Sequence, residues 1–319
     1  MISLGLLGVL QALLLPGFAL AYVLAPDLRR SLRDVALFAV PLSVVANYAV
    51  VQVLTALALY TQPVMLSVAA LSAAAAFACV MHHRGSASPP PQAPPVEEMQ
   101  DQILRGITIA SIAMLVWRNL GTVFTDWDAV VAWNAWAENW FNQAPTLRTT
   151  QPQGLPILFS IVYKCAGTSN LQTIAKLLSM AFPVWGVACL WRIGAWVTES
   201  RREAIAAALF WLCMVIKVKG ANFVVSGYAD PKLAAFSAFA VYALAVWQQT
   251  RAAEPRVRER MLIVLAIALS AGAVIKLSGA LLAPLAFAAL IFIDRPFARA
   301  HVRAMATAAA AVGVIALHW

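Results

Sequence analysis

GLPILFSIVYKCA, residues 154–166, is the stretch on which the topology turns. Apart from Lys164 it carries no charge, and at about 13 residues it falls short of the roughly 17 to 25 that a spanning helix uses. Around it lie ten further apolar runs: Ile2 to Leu24, Val35 to Leu59, Val64 to Met81, Ile103 to Leu120, Leu171 to Val197, Ala204 to Ile216, Leu233 to Trp247, Met261 to Ile275, Ala280 to Ile293 and Ala304 to Leu317. Of the 319 residues, 62% are hydrophobic and 12% charged, where a soluble domain keeps about a quarter of its residues charged. A sizeable soluble domain is therefore excluded. The chain reads as all-α, a polytopic membrane protein of about ten transmembrane helices.

Charge decides whether 154–166 crosses, because short cytoplasmic loops collect Lys and Arg and a miscounted span would misplace every later loop. If it does not cross, 15 of the 17 arginines face the cytoplasm, among them Arg29, Arg33, Arg105, Arg192, Arg202 and Arg256. If it crosses, the last ten of these move outside. The run is therefore expected to be re-entrant or to lie in the interface. The same sorting leaves all six lysines at or near the outer face, with Arg118 and Arg148. Ten of the 14 acids, Asp34 and Asp101 among them, interleave with the cytoplasmic arginines and read as a solvated, orientation-setting surface. The net charge of +9 is thus mostly orientation, and no nucleic-acid partner is implied.

Three regions follow: an N-terminal membrane segment of three helices (1–81), a Pro-rich cytoplasmic linker (82–102) around SASPPPQAPPVEE, and a membrane core (103–319) with an outer loop at 121–153. The linker composition cannot bury a core. Cys79, Cys165, Cys189 and Cys213 sit in apolar runs without a CxxC pair, and the four histidines add no zinc-ligand spacing. The outer loop holds most of the chemistry. Only Asp126, Asp128, Glu138 and Asp230 are acids on that side, and five of the 11 tryptophans fall between Trp117 and Trp140. Trp133, Trp136 and Trp140 recur at helical spacing, so a helix beginning near Asp126 would set them on one face, flat at the membrane surface. Their roles are headgroup anchoring or sugar stacking, with Trp127 in the same set. Either Asp126 or Asp128 can cap that helix, and Asp230 before Pro231 can cap another.

Residues WDAVVAWNAWA (127–137), then QPQGLPIL (151–158), SGYADPKLAAF (226–236) and AVIKLSGALLAPL (273–285) occur in the order of three motifs of the GT-C superfamily. The chain resembles these polyprenyl-phosphate-sugar-dependent glycosyltransferases, related to protein mannosyltransferases and aminoarabinose transferases. The family's lysine after Trp-Asn is Trp136 here. The resemblance implies a catalytic base at Asp128, with Asp126 as the alternative, a second-loop acid at Asp230 and a helix-break lysine at Lys276. It also implies a bacterial inner-membrane enzyme facing outward, with a lipid-linked sugar donor and a glycan, lipid or protein of the cell envelope as acceptor. Family members continue beyond the position where this chain ends, at Trp319 inside an apolar run, so a truncated, non-catalytic homologue is one alternative.

Transfer from a lipid phosphate needs a carboxylate to take the acceptor's proton and fixed cations to meet the charge growing on the leaving phosphate. Lys276, Lys217, Lys219 and Arg118 are the expected phosphate-binding residues. Lys164, Lys176 and Lys232 are expected to snorkel from span ends towards water. Asp230 and Glu138 are assigned to acceptor or metal binding, and a divalent metal is admitted but not required. A transporter or lipid-binding protein without catalysis would use the same basic outer cavity.

Overall fold

A computed structural model describes residues 1–85, 99–144, 151–197, 201–219, 224–249 and 255–293, with isolated helical positions at 302, 306, 310 and 313. Every regular element among them is helical: α1 (Ile2–Leu13), α2 (Leu15–Leu24), α3 (Leu32–Ala56), α4 (Gln62–Gly85), α5 (Met99–Asn119), α6 (Ala135–Phe141), α7 (Gly154–Ala166), α8 (Gln172–Val197), α9 (Arg201–Lys219), α10 (Ala229–Gln249), α11 (Pro255–Ile275) and α12 (Leu282–Ile293). Short 3-10 turns occupy Pro26–Arg30 and Leu277–Leu281, and a π-helical segment, Ala129–Asn134, runs straight into α6.

Five of these segments are long and apolar enough to cross a membrane: Ile2–Leu24, Leu32–Ala56, Gln62–His83, Gln172–Ile193 and Ala229–Gln249. The expected count of about ten is therefore reached only in part. Helices α5, α9 and α11 have the length, but charged residues occupy their ends, such as Asp101 and Arg105, Arg201 to Glu203, and Arg256 to Arg260. The run Ala304 to Leu317 lies outside the described residues except for isolated positions. The molecule has the helix composition of a multi-pass membrane protein.

Local sequence explains the long elements. Ser31 caps α3, its hydroxyl accepting from the Asp34 amide. Pro41 inside α3 cannot supply the amide that the Leu37 carbonyl would receive. The Trp185 indole of α8 donates to that carbonyl at 3.0 Å instead, which satisfies a polar group where no water is at hand. Between α1 and α3, Gln11 donates to Asn47 at 2.9 Å, and Asn47 returns a bond to the Gln11 carbonyl at 2.8 Å.

One hydrophobic core runs through the molecule, drawing side chains from both the first 81 residues and the region after residue 103. Its centre is an aromatic cluster in which Phe38 of α3 meets Phe239 and Tyr242 of α10, and Trp185 of α8 meets Phe236 and Phe239. These pairings set α8 and α10 parallel to each other and antiparallel to α3. Helices α5 and α9 form an outer layer on α8 with smaller clusters of their own.

At the end of this bundle that includes the start of α3, the Arg192 guanidinium grips Asp34 with both oxygens engaged, at 2.7 and 2.8 Å, and the Tyr242 hydroxyl donates to the same carboxylate at 2.6 Å. The sequence reading set Asp34 and Arg192 on a solvated surface, and this is corrected. The Asp34 side chain is only 3% exposed, because α8 and α10 close over the first turn of α3 and replace its water with three donors.

Helix α7 lies inside the bundle. All its residues are buried, packed mainly against α1 and α6 and also against α3 and α4. Its first residue, Gly154, abuts the backbone of Val274 at the end of α11. Its last turn is met by Gln62 at the start of α4, whose side chain donates to the Cys165 carbonyl at 3.2 Å. Since α3 runs away from the Asp34 end, both termini of α7 lie beside helix ends on the opposite side of the bundle.

Candidate functional site

That opposite side gathers charged residues from four separate segments. Lys176, in the first turns of α8, donates to the Thr122 hydroxyl at 2.7 Å and the Val123 carbonyl at 2.9 Å, which fastens α8 beneath the strand of loop that leads to Asp126. Lys232, in the first turn of α10, is fully buried, and its amine donates to the Ser226 carbonyl. Both lysines interact electrostatically with the Asp126 carboxylate, and Lys232 interacts with Asp230 as well. Asp230 in turn forms an ion pair with Lys276.

Backbone geometry holds the members in place. Lys276 is the extended residue that ends α11: its amide bonds to the Gly272 carbonyl at 3.0 Å, and its own carbonyl receives the Gly279 amide at 2.8 Å. The helix break expected from the sequence is thus a turn that folds Gly279 back against Gly272. On the neighbouring segment, a Cβ on Gly227 would meet Ala129 at 2.8 Å and the Phe124 ring at 3.1 Å, so the turn before α10 can dock on the Asp126 segment only as glycine. The Asp126 carbonyl accepts from the Val130 amide at 3.0 Å, which puts Asp126 at the head of the helical stretch that passes through the π segment into α6. Its carboxylate lies where the dipole of a helix favours an anion.

The residues anticipated from sequence divide between this cluster and the rest of the surface. Asp230 and Lys276 pair directly, and Asp126 lies within electrostatic range of Lys176 and Lys232. Asp128 is exposed and makes no hydrogen bond or ion pair among the described residues. Arg118 is likewise exposed at the end of α5, and the side chains of Lys217 and Lys219 lie outside the described residues. Glu138 belongs to another network: it accepts from Asn134 at 2.8 Å, and Asn134 accepts from the Tyr163 hydroxyl of α7. Burial raises the Tyr163 pKa, with Glu138 adding to the effect.

The tryptophans turn inward more than expected. Trp133 and Trp140 are buried, Trp140 donating to Gln153 at 3.2 Å, and Trp136 packs edge-on against Trp133. The surface-lying aromatic face is therefore corrected, since α7 offers an apolar partner that this face covers. Trp127, 76% exposed, keeps a free ring beside Asp126 and Asp128.

Lys176 and Lys232 are the residues that sequence reasoning passed over as snorkelling. A signal was present in the helical spacing. Lys232 shares its face with Ala235, Phe236 and Phe239, all buried, at the three, four and seven spacing of a core stripe. Lys164 also turns inward. Its amine sits about 5 Å from the ring centres of Tyr60 and Phe141, where cation–π attraction replaces hydration and burial lowers its pKa.

Among the described residues no three of His, Cys, Asp and Glu converge on a point that could hold a metal. The two acids of the cluster face lysines, which does not fit a divalent cation. No protein family, curated protein or solved structure matches the chain.

Proposed function

We propose that this chain is an integral membrane glycosyltransferase that moves a sugar from a polyprenyl-phosphate carrier to an acceptor on the outer face of a bacterial inner membrane, with inversion. The observation that carries the reading is the Asp230–Lys276 ion pair at one end of an apolar helical bundle, with Asp126 in electrostatic range of Lys176 and Lys232 at the same end. In the reaction the acceptor hydroxyl attacks the anomeric carbon from the face opposite the phosphate and loses its proton to a carboxylate. The bond from the anomeric carbon to the phosphate oxygen breaks with its electron pair passing to the phosphate. Asp126 is taken as the base of the loop pair because its backbone is fixed at a helix start, and the lysines within electrostatic range keep it ionised and ready to accept a proton at the cost of some basicity. The lysines supply the positive field into which phosphate charge develops, and the apolar helices accommodate the isoprenoid.

The test is transfer of a labelled sugar from a short-chain polyprenyl-phosphate donor in membranes, comparing wild type with Asp126→Asn and Asp128→Asn. Loss of a positioned general base costs about 10²- to 10⁴-fold in rate, so Asp126→Asn should fall by at least about 100-fold while Asp128→Asn keeps most of its activity. Full activity in Asp126→Asn overturns the assignment of the base. Saturable lipid binding by a wild type that transfers nothing favours a lipid-binding or transport protein.

A further inference from the structure

Among the described residues three lysines, Lys176, Lys232 and Lys276, lie within electrostatic range of two acids, Asp126 and Asp230, at one end of a low-dielectric bundle. The lysines differ in what they can still do. Lys232 is fully buried on a backbone carbonyl, and Lys176 is buried on a hydroxyl and a carbonyl. Lys276 keeps 26% of its side chain exposed, and its partner Asp230 keeps 52%. Within the cluster, this is the pair that water reaches.

From this we infer that Asp230 is a stand-in ligand: in the free protein its carboxylate occupies Lys276 where a phosphate group binds, and the incoming phosphate displaces it. The inference rests on the reading above and adds the competition between a protein carboxylate and the ligand. An exposed ion pair contributes little to stability, so exchanging one anion for another at Lys276 costs little. A sugar-linked phosphodiester carries the same single charge as the carboxylate it replaces, and the phosphate monoester left after transfer carries more. Lysine suits this exchange, because its ammonium is a point charge on a flexible stem that does not demand bidentate geometry. The rigid turn around Lys276, closed by Gly272 and Gly279, fixes the base of that stem while its tip changes partner.

The experiment measures binding of a fluorescent short-chain polyprenyl phosphate to the full chain in nanodiscs of zwitterionic lipid, with inorganic phosphate as competitor. Removing the competing acid should tighten binding, so Asp230→Asn is expected to bind about fivefold more strongly, the scale of an exposed ion pair. Lys276→Met should weaken it by about tenfold or more, and Lys276→Arg should restore it in part. Asp101→Asn, which removes an acid at the far end of the molecule, should leave it unchanged and so separates a local effect from net charge. Unchanged or weaker binding in Asp230→Asn, with wild type still binding, overturns the stand-in role and leaves the lipid-phosphate reading intact. No saturable binding by wild type overturns both. Competition by inorganic phosphate at the same concentration as the lipid identifies a free phosphate as the ligand, and a strong preference for the lipid identifies a headgroup.

Discussion

Asp126 and Asp128 show how much two positions can differ. In the sequence they are two carboxylates around one tryptophan, and either could cap a helix or take a proton. In the fold one lies within electrostatic range of two lysines and the other is exposed. Gly227 is part of the reason, since its missing side chain lets the turn before α10 reach Ala129 and Phe124. Gly227→Ala places a methyl group 2.8 Å from the Ala129 side chain, and the clash costs about 1–3 kcal/mol. The expected outcome is a thermal unfolding midpoint lowered in detergent, together with faster proteolysis of the 121–128 loop. A midpoint equal to wild type would mean that the two segments are not in contact. Lys232 could not be placed from its own letter, because a lysine near a span end snorkels unless the helix happens to turn it inward. Only its spacing with Phe236 and Phe239 carried that information.

Among the elements, α7 was legible as an anomaly and not as a structure. Its length excluded an ordinary span, and the arginine distribution argued that it turns back, but nothing in its letters said that all its residues would be buried. That follows from its neighbours: α1 crosses it on one side, and the Trp face of the outer helix covers it on another. The same missing knowledge of partners is why the tryptophans were expected on lipid. Cysteine accessibility checks the topology in a version of the chain without native cysteines. Thr125→Cys and Asn170→Cys flank α7 at exposed positions and should react with an impermeant maleimide from the same side of the membrane, with Arg256→Cys reacting from the other. Thr125→Cys labelled together with Arg256→Cys, and opposite to Asn170→Cys, would mean that α7 crosses and that every later loop is inverted.

The two ends of the whole molecule are built differently. At the Asp34 end, three helices are joined through a carboxylate withdrawn from water, with an arginine that meets both oxygens and a tyrosine that donates a third bond. At the lysine end, an exposed pair and amines resting on carbonyls leave charge available. Hydropathy made the helical class plain, because about 20 apolar residues in a row have few alternatives. Which charges are structural was not plain, since burial depends on helices far apart in sequence, as Asp34 and Arg192 are. Removing one partner of a buried pair costs up to about 3–5 kcal/mol, less where the remaining charge, here Arg192, is partly exposed, so Asp34→Asn should lower the unfolding midpoint in detergent by several degrees, and Arg192→Lys should do so less. A midpoint near that of wild type for Asp34→Asn would show that the pair adds nothing to the fold.

The π-helical segment at Ala129–Asn134 has a consequence of another kind. A wide turn of this sort holds one residue more than an ordinary helix would between Asp126 and the tryptophans, and an α-helix advances about 100° for each residue. The angular offset between the acid and the aromatic side of the same rod is therefore written in the number of residues and not in their identities. Substitution scanning preserves that number at every step and passes over the feature; shortening the rod by one residue rotates its head against its tail while every named side chain remains in the chain.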